Sequence, residues 1–336
     1  MRQVWIARAG PPEALEVREA PDPPAGPGQV RIRARACGVN FADLMARTGM
    51  YPDAPPIPCV VGYEVAGTVD QVGPGVTGWT AGDRAIGLPY FGGYSDTVVL
   101  PVEQAFHMPD RMDFQAGAAL PIVYLTAHHM LRRVANLRPG SRVLIHSAAG
   151  GVGLAVVQLA RDCEIFGTAS PAKHAWLKEQ GVRHALDSGG DVAAQVRAIL
   201  GPGRGLDLVL DPVGGRSWAA GYGLLGAGGH LIAFGFSGAV AGKRRALLRA
   251  ARRFFEVPRF NPLRLMAANK SVSGVNLAHL FGRMDILAPQ MEELLRLWHS
   301  GAIAPHVDRT FRFEEAAAAH HYLHDRKAKG KVLLVP

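Results

Sequence analysis

A run of apolar residues followed by closely spaced glycines constrains the fold of this chain more than any other feature. Val143, Leu144 and Ile145 follow a Pro-Gly turn and predict a buried strand, after which the glycines within residues 150–153 open a segment of helical character. In a dinucleotide-binding fold, glycines at this place let the backbone approach a pyrophosphate, and the next helix offers its N-terminal amides to the anion. A tight strand-to-helix turn without a ligand is the simpler alternative.

The glycine pattern departs from the usual G-x-G-x-x-G at one place. Ala148 stands at the first glycine position, while Gly150 and Gly153 stand at the second and third. The setting of the pattern between a strand and a helix favours a dinucleotide site over a plain turn. We therefore predict that the phosphates of a cofactor contact the residues of this loop, namely Ala149, Gly150, Gly151, Val152 and Gly153.

Beyond the glycine loop, predicted strands and helices alternate. Further strands are predicted at 165–168, 185–187, 206–211, 230–235 and 272–275. Helices are predicted between them, near 173–180, 191–200 and 216–225. Alternation at this spacing predicts an α/β fold with a parallel, doubly wound sheet. The N-terminal third is predicted to be β-rich instead, because residues 30–36 alternate between apolar side chains and arginines.

Length, cysteine content and charge narrow the class of protein. A chain of 336 residues suggests about two domains. Its three cysteines cannot form a disulfide framework and lack the paired spacing of a zinc site, which favours a reducing, cytoplasmic location. Of the net charge of +9, +7 lies between Lys243 and Arg264, where eight Lys and Arg face one acid, Glu256. Because the rest of the chain is nearly neutral, we expect no nucleic-acid partner.

Five motifs occur in an order that resembles the medium-chain dehydrogenase/reductases. They are Gly-Val-Asn-Phe-Ala-Asp at 38–43, Gly-Tyr-Glu-Val-Ala-Gly at 62–67, Ala-Ala-Gly-Gly-Val-Gly at 148–153, Asp-Pro-Val-Gly-Gly at 211–215 and Gly-Lys-Val at 330–332. Within this family the chain is similar to the zinc-free quinone oxidoreductase branch, as in zeta-crystallin. Residues 266–277 and 303–308 resemble the synaptic-vesicle amine-transport homologues. The resemblance covers essentially the whole chain.

The resemblance implies a division into two domains. A GroES-like, β-rich catalytic domain would comprise residues 1–122 together with 280–336. A Rossmann NADPH-binding domain would comprise residues 123–279 and carry a basic insertion at about 240–264. The resemblance also implies a homodimer that acts on a small carbonyl or quinone substrate.

Metal catalysis is not expected in this chain. Zinc-dependent relatives place a cysteine where this chain has Asn40 and a histidine where it has Tyr63, and the four-cysteine lobe of those relatives is absent. Catalytic zinc is bound by nitrogen and sulfur ligands, which are missing at these places. Cys37 and Cys59 are interpreted as small buried hydrophobic residues.

The cofactor is predicted from a missing carboxylate. The second strand of an NAD-binding Rossmann unit usually ends with an acidic residue that bonds the ribose 2′-hydroxyl. Here the strand ends Gly167-Thr168-Ala169-Ser170, and Lys173 follows. A serine hydroxyl and an ammonium suit a 2′-phosphate, so we predict NADPH. In the alternative, Ser170 only caps a helix and Lys173 is solvated, which leaves the missing acid unexplained.

Three further places are predicted to contact the cofactor. In similar proteins, the threonine equivalent to Thr126 meets the nicotinamide end, although a helical threonine more often bonds a backbone carbonyl. The pairs Phe234-Gly235 and Val275-Asn276 end strands five and six. An open parallel sheet presents its ligand contacts at the carboxyl ends of its strands, where these residues lie.

Asn40, Asp43, Tyr51 and Tyr63 fall where the quinone reductases bind their substrate. An asparagine amide can donate to a carbonyl oxygen, and a tyrosine can donate a hydrogen bond or stack on a flat ring. Hydride transfer to an enone or quinone builds negative charge on oxygen, so hydrogen-bond donors suffice. In the alternative, Asp43 is a helix-start carboxylate and Tyr51 belongs to a plain turn.

These features predict a zinc-independent, NADPH-dependent reductase of quinones or α,β-unsaturated carbonyls. The alternative is a membrane- or partner-associated protein that keeps the fold but performs little catalysis. The basic insertion bears on this choice, because apolar side chains recur there at helical spacing beside a charged face that holds Arg245, Arg249, Arg252 and Glu256. Such a helix either contacts an anionic membrane through residues 243–264 or buries its apolar face against the fold. We favour burial, since most apolar helix stripes serve cores. That apolar stripe consists of Leu247, Leu248, Ala251, Phe254 and Phe255.

Overall fold

The chain forms two compact units. A computed structural model describes residues 1–240, Arg252 and residues 254–336. The terminal unit comprises Met1–Leu125 and Leu277–Pro336, so both ends of the chain belong to it. The central unit begins at Thr126 and ends at Asn276.

The described strands and helices follow one another in this order along the chain. The strands are β1 Arg2–Ile6, β2 Leu15–Glu19, β3 Gln29–Val39, β4 Cys59–Val60, β5 Val65–Val72, β6 Arg84–Gly87, β7 Thr97–Pro101, β8 Ala105–His107, β9 Arg142–Ile145, β10 Glu164–Ala169, β11 His184–Asp187, β12 Leu206–Asp211, β13 Leu225–Ala233, β14 Ser271–Gly274, β15 Val307–Arg312 and β16 Lys331–Val335. The helices are α1 Phe41–Arg47, α2 Phe114–Ala119, α3 Pro121–His128, α4 Gly151–Leu159, α5 His174–Glu179, α6 Val192–Leu200, α7 Arg216–Leu224, α8 Pro262–Ala268, α9 Met284–His299 and α10 Ala316–His324.

Strand β3 is the centre of the terminal unit. It pairs with β16, β5 and β7 in a sheet of order β15-β16-β3-β5-β6-β8, and a second sheet has the order β2-β1-β4. Val30 and Ile32 of β3 are fully buried in the core, while Arg31 and Arg33 on the opposite face bind the carboxylate of Asp70. The alternation in the sequence therefore fixes which face of β3 is buried.

The central unit contains one sheet in which every described pairing is parallel. Its strand order is β11-β10-β9-β12-β13-β14, with helices α4 to α7 in the connections. The order reverses between β9 and β12, so the connections leave these two strands in opposite directions. In sheets of this kind, ligands bind outside the carboxyl ends of the strands at the reversal. The predicted Rossmann fold is confirmed.

Some element boundaries differ from the predicted ones. β13 begins at Leu225 rather than His230, because Leu225 pairs with Leu206 and so extends the strand through glycines that have a low intrinsic preference for strands. α9 begins at Met284 and contains Pro289, which was predicted to start it. The expected strand near residues 312–313 is the end of β15, and Phe313 begins the next turn.

Candidate active site

The glycine loop connects β9 to α4 as the sequence predicts. Gly150 caps α4 without a side-chain hydrogen bond, so the first amides of the helix are left for another acceptor. A Cβ on Gly153 would lie 2.5 Å from the carbonyl oxygens of both Ser147 and Ala148, which explains why this position must be glycine. Open amides at the N-terminus of a nine-residue helix form a cradle that suits a pyrophosphate.

A buried polar group lies beneath the loop and joins the carboxyl ends of three strands. The Thr168 hydroxyl accepts from the Ser147 amide at 3.1 Å and lies 3.5 Å from Nδ1 of His146. Nε2 of His146 is 3.8 Å from the carboxylate of Asp211, which in turn accepts from the Ser217 hydroxyl. Burial lowers the pKa of His146. This group therefore fixes the loop to β10 and β12.

The other predicted cofactor residues lie at the same edge of this sheet. Ser170 and Lys173 directly follow β10, Phe234 and Gly235 follow β13, and Val275 and Asn276 follow β14. The amide of Phe234 bonds Asp211 O at 3.2 Å, and that of Val275 bonds Ala233 O at 2.8 Å. The remaining predicted contact, Thr126, is buried in α3.

Asn40 of the terminal unit is held by a buried ion pair. Nζ of Lys331 is 2.5 Å from Oε1 of Glu64, and Glu64 and Lys331 are both almost fully buried. The Lys331 ammonium also donates to Oδ1 of Asn40 at 2.6 Å, while Nδ2 of Asn40 donates to Oε1 of Glu64 at 2.9 Å. The second oxygen of Glu64 accepts from the Ile122 amide at 2.8 Å. All three side chains thus share one hydrogen-bond network.

The chemistry of this network fixes the orientation of the Asn40 amide. An ammonium can only donate and a carboxylate can only accept, so Oδ1 must face Lys331 and Nδ2 must face Glu64. One N–H of Nδ2 is used on Glu64. The other N–H has no acceptor among the described residues, and Asn40 is only half-buried. It is therefore a fixed hydrogen-bond donor for a ligand.

Close approach of the backbone explains the glycine in the first motif. Gly38 precedes Asn40 by two residues on β3, and the Glu64 side chain lies directly over it. A Cβ at position 38 would be 2.1 Å from Oε1 of Glu64. Gly38 thus leaves the space in which the carboxylate meets both Lys331 and Asn40.

Asp43 lies behind Asn40 and is completely buried. Its Oδ2 accepts from the Asn40 amide at 2.8 Å and from the Tyr94 hydroxyl at 3.0 Å, so it closes the first turn of α1. Nε2 of His320 lies 3.2 Å from that hydroxyl, and Nδ1 of His320 accepts from Nε of Arg47. Because arginine only donates, the neutral His320 ring carries its proton on Nε2 and donates it to Tyr94. Asp43 therefore positions Asn40 through a directed chain of bonds.

Burial raises the pKa of Asp43 to about 7, and its Oδ1 has no hydrogen-bond partner among the described residues. A carboxyl group with a pKa raised in the folded state stabilises the fold when protonated and loses that contribution as the pH rises from about 4 to about 7. We expect Asp43→Asn to keep both Oδ2 bonds without this loss. Its free energy of unfolding, relative to the parent protein, should rise by up to roughly 4 kcal/mol between pH 4 and pH 8.

Urea unfolding across this pH range measures the difference. His320, whose pKa burial lowers, gives the opposite slope in both proteins, so it largely cancels in the comparison. The matched control is Asp113→Asn at the exposed N-cap of α2, where there is no burial penalty to remove. A pH-independent difference for Asp43→Asn would contradict the buried-acid assignment.

Aromatic side chains cluster on the other side of the second motif. The ring of Tyr63 lies 5.0 Å from Phe91 and 6.1 Å from Phe281, and Tyr90 contacts both phenylalanines. Tyr63 is buried, and burial first and the Asp43 carboxylate second raise its pKa; the half-buried Tyr51 phenol also contributes. Tyr90 is exposed. The cluster offers an apolar, aromatic surface of the kind that flat rings stack on.

Sequence reasoning missed Glu64, Lys331 and the aromatic partners of Tyr63. Glu64 and Lys331 stand in two of the motifs that carry the family resemblance, and Lys331 opens a strand that is otherwise wholly apolar. A charged residue that starts a buried strand signals a buried partner, because an unpaired buried charge is costly. Nothing in the sequence pattern marked Phe91 or Phe281.

The residues at the zinc positions of related dehydrogenases do not suit a metal ion. Oδ1 of Asn40 already accepts from the Lys331 ammonium, a cation that would repel a second one. Tyr63 is packed among aromatic rings. Throughout the part of the chain that the structure describes, no three His, Cys, Asp or Glu side chains are grouped so that they could hold a metal.

Two family profiles match the chain. One, described as "Alcohol dehydrogenase GroES-like domain", matches residues 26–110, and one described as "Zinc-binding dehydrogenase" matches residues 180–334. The human synaptic vesicle membrane protein VAT-1 homolog is 42% identical over 326 residues, which are 96% of this chain and 82% of that protein. A quinone oxidoreductase of Pseudomonas aeruginosa is 33% identical over 340 residues, 100% of this chain and 99% of that protein.

Two similar solved structures contain NADPH. The Escherichia coli quinone oxidoreductase complexed with NADPH superposes with a TM-score of 0.88 at 27% identity and covers 100% of both chains. The mycobacterial protein Rv1454c complexed with NADPH has a TM-score of 0.87 at 32% identity, again over 100% of both chains.

Proposed function

The chain belongs to the medium-chain dehydrogenase/reductase superfamily, close to the VAT-1 homologues and the quinone oxidoreductases, and from this premise we propose a specific activity. It is an NADPH-dependent, zinc-independent oxidoreductase that transfers hydride to a quinone or an α,β-unsaturated carbonyl compound. The two NADPH complexes among the similar structures support this choice of cofactor.

One observation carries the proposal for NADPH. Strand β10 ends at Ala169, and Ser170 and Lys173 follow where NAD-binding relatives of this fold have a carboxylate. An ammonium and a hydroxyl attract the 2′-phosphate, whereas a carboxylate would repel it. The open amides at the start of α4 suit the pyrophosphate. The chain thus offers groups for both anionic parts of NADPH.

The terminal unit supplies the groups that act on the substrate. NADPH, when bound, supplies the hydride. The unused N–H of Asn40 donates to the carbonyl or quinone oxygen, where negative charge develops, and the Lys331 ammonium stabilises that charge through the amide. Tyr51 is assigned as a second donor, and the rings around Tyr63 pack against a planar substrate. Asp43 acts at one remove by holding Asn40, and solvent supplies the final proton.

Activity is expected to survive removal of metal ions. Exhaustive dialysis against a strong chelator should leave both the melting temperature and the rate of NADPH oxidation unchanged, since Asn40 and Tyr63 replace the zinc ligands. Elemental analysis of the same sample provides the check. Stoichiometric zinc, or a chelator-dependent loss of activity restored by zinc, would contradict the expectation.

A screen of NADPH oxidation against quinones, enones and enals tests the activity itself. The proposal expects turnover with at least one class of acceptor and none with simple saturated alcohols or aldehydes. If NADPH binds and quenches tryptophan fluorescence but no acceptor is reduced, the protein is instead a fold-retaining binding protein with little catalysis.

We also propose the domain limits and assembly that the family resemblance implies. Residues 1–122 with 280–336 form the catalytic domain, and residues 123–279 form the cofactor domain. Cys37, Cys59 and Cys163 are free thiols, which supports a reducing, cytoplasmic location. Light scattering during gel filtration tests the homodimer expected from the resemblance.

A further inference from the structure

The segment after residue 253 exposes large apolar side chains that no other part of the described surface matches. Phe254 and Phe255 are 70% and 87% exposed, and Leu263 and Met266 are 69% and 74% exposed. The sequence-based preference for a buried apolar face is therefore wrong at Phe254 and Phe255. The remaining members of that predicted face, from Leu247 to Ala251, lie outside the described residues.

Helix α8 presents its apolar side chains to solvent although it is well anchored. None of its residues is buried, and Leu263, Met266 and Ala267 share one face by their i, i+3, i+4 spacing. Asn261 caps its first turn, and the preceding Phe260 packs on Tyr222 of α7 with ring centroids 5.4 Å apart. The apolar face thus stays exposed on an ordered support.

The same surface is cationic. Arg252, Arg259 and Arg264 are exposed, and the one acid of the region, Glu256, is neutralised by Arg252 and Arg216 at 3.5 and 3.4 Å. The sequence places five further Lys or Arg at positions 243, 244, 245, 249 and 253. Exposed aromatic and aliphatic side chains among such an excess of cations complement a surface that is apolar beneath a layer of negative charge.

We propose that this surface, formed by residues 252–267, binds peripherally to bilayers that contain anionic lipids. The phenylalanines and the α8 face enter the acyl boundary, and the arginines contact lipid phosphates and carboxylates. The contact is one with the surface of the bilayer: in the part of the chain that the structure describes, no helix has the length and hydropathy to cross a membrane. This inference stands apart from the reductase activity.

Co-sedimentation of the full-length protein with vesicles tests the proposal. Binding is expected to phosphatidylcholine vesicles that contain phosphatidylserine, to fall steeply with added salt, and to be absent with phosphatidylcholine alone. Arg259→Gln with Arg264→Gln should weaken binding roughly twentyfold, at about fivefold per arginine. Phe254→Ser with Phe255→Ser should abolish sedimentation. Matched controls are Arg183→Gln and Ile199→Ser, which change equally exposed types of side chain elsewhere in the central unit.

The competing occupant is a second copy of this chain, so light scattering accompanies each assay. NADPH-induced fluorescence quenching confirms that each variant is folded. Equal sedimentation with both kinds of vesicle, or full binding by the double variants, would overturn the proposal. Absence of vesicle binding together with a shift from dimer to monomer in the phenylalanine variant would overturn it too, and would assign the surface to self-association.

Discussion

Replacing Lys331 with methionine is expected to lower the free energy of unfolding by about 3–5 kcal/mol, because it leaves the buried Glu64 carboxylate without its counter-ion. The change also removes the donor that fixes the Asn40 amide. Since misplacement of a reacting group by about 1 Å can cost 10²-fold, kcat/KM for the acceptor should fall by roughly that factor. Urea unfolding and steady-state kinetics measure the two effects.

A second variant separates the structural effect of Lys331 from its effect on the site. In Glu64→Gln with Lys331→Met no buried charge remains, so most of the lost stability should return. The glutamine amide that replaces the carboxylate can bond both the Ile122 amide and Asn40 only if the Asn40 amide turns over, so kcat/KM should stay low. Lys327→Met, which breaks an exposed ion pair with Asp325, is the control and should cost less than about 1 kcal/mol. Recovery of activity in the double variant would contradict the role given to Lys331.

Changing Lys173 to glutamate is expected to weaken NADPH binding by about 1.5–3 kcal/mol, the usual worth of a charge-assisted hydrogen bond, and to leave NADH binding much less affected. The reason is local, because only NADPH carries a 2′-phosphate, and the new carboxylate would repel it while suiting a ribose hydroxyl. Titration of each cofactor, followed by tryptophan fluorescence, gives the four dissociation constants.

The control for Lys173 lies on the following helix. Lys178→Glu makes the same change of charge in the exposed last turn of α5 and should alter both affinities little. If the two variants weaken NADPH binding alike, the effect is one of net charge and Lys173 makes no specific contact with the phosphate.

Much of the central unit could be predicted from sequence because its signals are local. The apolar run at 143–145 and the glycines after it specify a strand, a turn and a helix within a dozen residues. Each βα repeat carries the same kind of information, and parallel pairing follows from the alternation alone. The start of β13 was missed because its glycines take their extended conformation from pairing with β12 rather than from their own preference.

The terminal unit shows what a single sequence does not reveal. Asn40 and Lys331 are 291 positions apart and meet only because β16 pairs with β3, from Val332 opposite Val39 to Leu334 opposite Cys37. Asp43 was correctly given its alternative interpretation as a helix-start carboxylate. Its burial depends on Tyr94 and His320, which come from two distant segments, and no local periodicity links them.

The central claim is that this chain is an NADPH enzyme, and direct titration of the unaltered protein tests it most simply. Trp176 and Trp218 lie in the central unit and report on binding. The account predicts that NADPH binds at least about tenfold more tightly than NADH, as one charge-assisted phosphate contact requires. Equal affinities for the two cofactors, or tighter binding of NADH, would contradict it.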